Sequence, residues 1–157
     1  MKYGLEVEVY LYEDELLAEL LWPFPDRHTP DTGTNGLGLG VLRRFADMPD
    51  GDLGEHIMTL LESAEPILEG STPTTSLASL SELCGNGLSS DEIWAGLTSA
   101  VMVQRSVKKG LSVVLLRLDR NRRYRTAVTD IYEMLGHDPT PQALGSSVRR
   151  LLITDKR

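Results

Sequence analysis

The sequence predicts an α+β fold: a helix-rich single domain over residues 1–157 with about six helices and a small β component near residues 3–12 and 111–118. Three observations lead there. Leu5, Val7, Val9 and Leu11 alternate with Glu6, Glu8, Tyr10 and Tyr12, the period of two that marks a half-buried strand. Leu111 to Leu118 is a short, mostly apolar run of the kind that fills a buried strand. Elsewhere apolar residues recur mainly at three- and four-residue spacing, which gathers them on helical faces.

Taken in order, the first strand is followed by Leu16, Leu17, Leu20 and Leu21 behind Asp14, a candidate N-cap, with Pro23 as the stop. That spacing predicts a short helix, with a return of residues 16–22 as the second strand of a hairpin as the alternative. Pro23, Pro25, Pro30 and four glycines predict a long irregular connection from 23 to 40. Helices are expected over 41–48 and from Asp52, where Leu53, Ile57, Leu60, Leu61 and Ala64 share a face until Pro66. The Ser/Thr/Pro-rich segment 70–76 is the most linker-like, and could divide the domain into an acidic subdomain 1–70 and a basic-ended subdomain 77–157.

Leu77, Leu80 and Leu83 predict a brief helix before Gly85-Asn86-Gly87. Ser89 and Glu92 form a capping-box pattern ahead of Ile93, Leu97, Ala100 and Val101, so a longer helix is expected, closed by Lys108, Lys109 and Gly110. After the strand 111–118 and a polar turn at 119–123, a helix is expected from about Thr126 to Leu135, ended by Gly136. Thr140 and Pro141 then start a last helix whose Leu144, Val148, Leu151 and Leu152 face inward.

With 157 residues, 41% apolar and 25% charged, the chain can bury one core. A single cysteine, Cys84, leaves neither an internal disulfide nor a four-cysteine zinc site. Carboxylates interrupt the N-terminal apolar residues, so no signal peptide is expected, and no apolar run is long enough for a transmembrane segment. A cytoplasmic protein is the resulting expectation.

No catalytic, cofactor or metal site is expected either. The glycines from Gly33 to Gly40 lack the Lys-Ser/Thr of a P-loop and miss the dinucleotide spacing. His28, His56 and His137 stand apart from one another and from Cys84, without the i,i+4 spacing that would set two ligands on one face. No Gly-x-Ser-x-Gly elbow presents a nucleophile.

Charge is the informative feature. Residues 1–70 hold 15 acidic and 4 basic side chains, residues 71–104 hold 3 and none, and residues 105–157 hold 5 and 12, so a net charge of −7 conceals a basic last third. In that third, Arg120, Arg122, Arg123 and Arg125 surround Tyr124, and Arg149 and Arg150 lie on the final helix. Guanidinium forks suit phosphate and a tyrosine can stack on a base. Residues 126–152 also have the dimensions of a helix-turn-helix, with Gln142, Ser146, Arg149 and Arg150 outward.

The leading expectation is therefore a non-enzymatic interaction protein, an assembly or regulatory factor, whose basic C-terminal third contacts a polyanion such as nucleic acid. The alternative is an acidic partner protein that binds through Glu6, Glu8, Glu13, Asp14, Glu15 and Glu19. It could be an immunity-like inhibitor of a basic protein, or a self-assembling homo-oligomer joining acidic to basic faces.

Overall fold

The alternating segment Leu5–Tyr12 forms strand β1 in the computed structural model, which describes residues 5–12, 15–22, 35–44, 47–68, 95–119 and 124–154. Around it lie β2 (Glu15–Trp22), β3 (Asn35–Arg44), β4 (Leu97–Ser106), β5 (Gly110–Asp119) and β6 (Tyr124–Gly136), with helices α1 (Asp50–Leu68) and α2 (Pro141–Thr154). The six strands form one sheet in the order β3-β2-β1-β4-β5-β6, antiparallel at every pairing. Because β1 pairs with β4, strands about ninety residues apart in the chain meet at the sheet centre.

The expected helix-rich architecture with about six helices is overturned, since the described residues hold two helices and six strands. Each departure has a physical reason. Residues 16–21, expected as a helix, belong to β2, and the hairpin return is what forms: Tyr12 pairs with Glu15 across the two residues 13 and 14. Leu, Ala and Glu favour helix intrinsically, but so short a helix is marginal alone. As a strand the segment hydrogen-bonds to β1 and β3 and buries Leu16 and Ala18.

Residues 35–44, expected as irregular chain and then helix, form β3. Gly36, Gly38 and Gly40 occupy alternate positions there and weaken the apolar signal that would mark a strand. The helix expected up to Gly110 is instead β4, whose Val101 and Val103 point to the core while Met102 and Gln104 do not. Gly110, at φ 77, closes the β4–β5 hairpin rather than a helix end. The same left-handed backbone serves both uses, so the residue could not tell them apart. Residues 126–135 lie in β6, which carries the β-branched and aromatic Thr126, Val128, Thr129, Ile131 and Tyr132. The helix-turn-helix over 126–152 accordingly does not form.

The expected β1, the strand at 111–118, the helix from Asp52 and the last helix are present, although α1 starts at Asp50 and runs through Pro66, the expected stop, to Leu68. Both helices start on identifiable signals: Asp50 and Asp52 lie in the first turn of α1, and Thr140 Oγ1 accepts a hydrogen bond from the Ala143 amide at 3.1 Å ahead of α2. The two helices lie on one face of the sheet. Leu53, Ile57, Leu60, Leu61, Leu144, Val148, Leu151 and Leu152 pack there on Val7, Val9, Val101, Val103, Val113 and Leu115. Glycine sets the helix–helix distance: a Cβ at Gly54 would overlap the Pro141 carbonyl, and one at Gly145 the Asp50 carbonyl.

Both outer strands are irregular. In β6, Ala127 and Tyr132 pair with Leu116 and Val114, so five steps on β6 face two on β5. In β3 the register shifts twice against β2. Bulges of this kind bend an edge and reduce its capacity to pair with another chain.

Candidate interaction surfaces

Among the described residues of the basic last third, Arg149 and Arg150 face different elements. Arg149, on α2, donates from Nε to Asp50 Oδ1 at 2.5 Å and also bonds the Met48 carbonyl, tying α2 to the start of α1. Arg150, one helical step of 100° away, turns instead to β6, donating to Glu133 Oε1 at 2.6 Å and Oε2 at 3.3 Å, and to Ser146 Oγ at 3.0 Å. The hydrogen bond that Arg150 donates to Glu133, and the charge of that carboxylate, hold the Arg150 pKa above its ordinary value. Two of the six arginines named from the sequence as polyanion contacts are thus matched to a carboxylate of this chain.

Other described cations lie toward the two ends of β5. Arg105, Lys108 and Lys109 surround the β4–β5 turn, where Lys108 and Lys109 are exposed. At the far end, roughly 30 Å along a ten-residue strand, Tyr124 and Arg125 begin β6 opposite Asp119 and Leu118. Arg120, Arg122 and Arg123 lie outside the described residues.

Of the acidic face expected on the first strand and the segment after it, the side chains of Glu6 and Glu8 are described. Glu8 is buried and accepts a hydrogen bond from Tyr10 Oη, while Glu6 accepts from Gln104 Nε2 at 3.1 Å across the β1–β4 pair. Glu8 is paired in register with Glu19 of β2, and Tyr12 with Glu15. Glu13 and Asp14 lie outside the described residues. Sequence reasoning missed the exposed carboxylates of α1: Asp52, Glu55 and Glu62 fall on one side of the helix, with Asp47 exposed just before it. A readable signal was present, because residues 45–104 contain ten acidic side chains and neither lysine nor arginine.

The sheet face opposite the helices has two unlike ends. Tyr10, Ala100 and Leu116, adjacent in register across β1, β4 and β5, are buried. Two rows away the face opens into a depression of about 330 Å³ lined by Glu6, Gln104, Lys109, Ser112, Val114, Tyr132 and others. Tyr132 is 53% and Met134 49% exposed there.

Of the histidines, His56 is exposed on α1, and His137 Nε2 lies 3.2 Å from the Lys108 carbonyl. His28, Cys84, the Gly33-Thr34 start of the glycine run, the segment 70–76, the brief helix at 77–83 and the Ser89/Glu92 capping box lie outside the described residues. Among the described residues no three His, Cys, Asp or Glu side chains form a metal-binding group, and no helix is long and apolar enough to cross a membrane.

No protein-family model matches this chain, and no curated protein matches it. Among solved structures it is similar to a protein of unknown function from Neisseria meningitidis, with a TM-score of 0.60 and 16% identity over 98% of this chain and 96% of that one. Identity this low speaks for a shared fold alone.

Proposed function

We propose that this chain is a non-catalytic interaction protein that binds a basic protein through the outward face of α1, as an immunity-like inhibitor would. The observation that carries the reading is the unequal fate of its charges. Arg149 and Arg150 are matched within the chain by Asp50 and Glu133. Asp47, Glu55 and Glu62 are exposed, as is Asp52, in a sixty-residue stretch that contains neither lysine nor arginine. A fixed negative field on a rigid helix accelerates encounter with a cationic partner and penalises like-charged ones.

The same distribution favours a protein over nucleic acid as partner. A polyanion site needs several cations along one groove, whereas among the described residues Arg149 and Arg150 already face carboxylates and Lys108 and Lys109 stand at the β4–β5 turn. Polyanion contact would rest on Arg120, Arg122, Arg123, Tyr124 and Arg125.

The product of the neighbouring gene is the natural ligand to titrate against the full chain by calorimetry. A basic protein bound by the wild type and about 100-fold more weakly by the Asp52→Lys, Glu55→Lys, Glu62→Lys variant is the expected result. Equal binding by both would remove α1 from the interface. In parallel, binding to a mixed-sequence oligonucleotide at low salt that is lost when Arg120, Arg122, Arg123 and Arg125 become Ala would replace this reading with polyanion contact.

A further inference from the structure

Four large apolar side chains are exposed among the described residues, and three of them, Val107, Tyr132 and Met134, stand at one end of the molecule. The sheet register explains the convergence of two. Ser112 pairs with Gln104 on one side and Met134 on the other, and Val114 with Met102 and Tyr132, so these side chains form two adjacent rows on the face away from the helices. Val107 crowns the β4–β5 turn just above, 80% exposed between Ser106 and Lys108.

This apolar floor is rimmed by positive charge. Lys108 and Lys109 are exposed at the turn, Arg105 and Lys109 line the depression, and the turn is held by a hydrogen bond from the Lys109 amide to Ser106 Oγ at 3.0 Å. The carboxylate in the lining is Glu6, already accepting from Gln104. In a chain of net charge −7 a cationic rim around exposed Tyr and Met is a local reversal of the overall field.

We infer that this open end of the sheet, between the β4–β5 turn and β6, is a docking site for an acidic segment of a partner protein that carries an apolar side chain. The apolar group sits over Val114, Tyr132 and Met134, and the flanking carboxylates face Lys108 and Lys109. Exposed apolar side chains with a polar rim are the surface form of a protein contact. A phosphate backbone would use the rim but leave the apolar floor wet, which is why a peptide is favoured over nucleic acid. The site lies on the opposite face of the sheet from α1, so it stands independently of the acidic helix face.

Its test is a titration of the ¹⁵N-labelled full chain with the acetylated, amidated peptide Glu-Phe-Asp-Leu-Glu. Amide shifts confined to 104–114 and 132–134 are expected, and a control peptide with lysine at each acidic position should not produce them. Lys108→Glu with Lys109→Glu should weaken the peptide by about tenfold or more. Tyr132→Ala with Met134→Ala should do likewise while the remaining amides keep their positions. Shifts elsewhere, equal affinity for the lysine peptide, or unchanged affinity in either variant would overturn the proposal. So would a ten-nucleotide single strand that moves the same amides at lower concentration than the peptide. The Asp52→Lys, Glu55→Lys, Glu62→Lys variant should bind the peptide like wild type, which separates this site from the α1 reading.

Discussion

Two neighbouring arginines show how much a single residue's place can matter. Arg149 and Arg150 look equivalent in sequence, yet the Arg149–Asp50 pair keeps only 23% and 24% of its side-chain surface, against 57% and 29% for Arg150–Glu133. The first also satisfies a backbone carbonyl between two helices. Arg149→Ala should therefore cost about 1.5–3 kcal/mol in urea unfolding, since it strands a half-buried carboxylate and a carbonyl. Arg150→Ala, in a well-solvated pair, should cost no more than about 0.5 kcal/mol. Equal losses would show that burial does not separate them. Ser147 makes the opposite case: its hydroxyl is buried on α2 and finds no hydrogen-bond partner, as is also true of Ser99 on β4. Ser147→Ala should leave stability unchanged or raise it by up to about 1 kcal/mol, and a clear loss would mean that the hydroxyl is bonded after all.

At the scale of elements, close approach and backbone conformation explain why particular glycines stand where they do. Gly54 and Gly145 let α1 and α2 approach until a Cβ on either would overlap a carbonyl of the other helix or its lead-in. Alanine at either position should push the helices apart and cost about 1–3 kcal/mol, read as a lower unfolding midpoint. Gly136 differs, because its φ of 81 is unfavourable for other residues but nothing lies within reach of an added Cβ. Gly136→Ala should cost only the conformational term of about 1–2 kcal/mol. Gly110→Ala should cost more, because its Cβ would also meet the Gly136 and His137 backbone. The elements legible in sequence were those with one dominant period: β1 at two residues, α1 and α2 near 3.6. Segments such as Leu16–Leu21 or Ile93–Val101 fit the helical template too, and local spacing alone could not decide them.

For the molecule as a whole, charge and edge geometry set how it meets others. Bulged β3 and β6 leave no long regular edge among the described strands, which disfavours association by strand addition. Light scattering across an ionic-strength series should therefore give one mass throughout. A mass that rises at low salt and falls at high salt would instead mark joining of the α1 carboxylates of one copy to the Lys108–Lys109 end of another. The candidate surfaces were only partly legible beforehand. The opposition of acidic and basic segments was plain, but the partners of Arg149 and Arg150, and the burial of Glu8, depend on residues up to a hundred positions away.

The sequence by itself determined the charge segregation, the alternating first strand, the apolar run of the fifth and the caps and apolar faces of both helices, because each is a short-range property. Only the tertiary structure decided that residues 15–22, 35–44, 97–106 and 124–136 are strands, since a helix draws its hydrogen bonds from four residues away and a strand from wherever its neighbour lies. The same non-local pairing set two arginines of the basic third against carboxylates of the chain and left Lys108 and Lys109 beside Tyr132 and Met134.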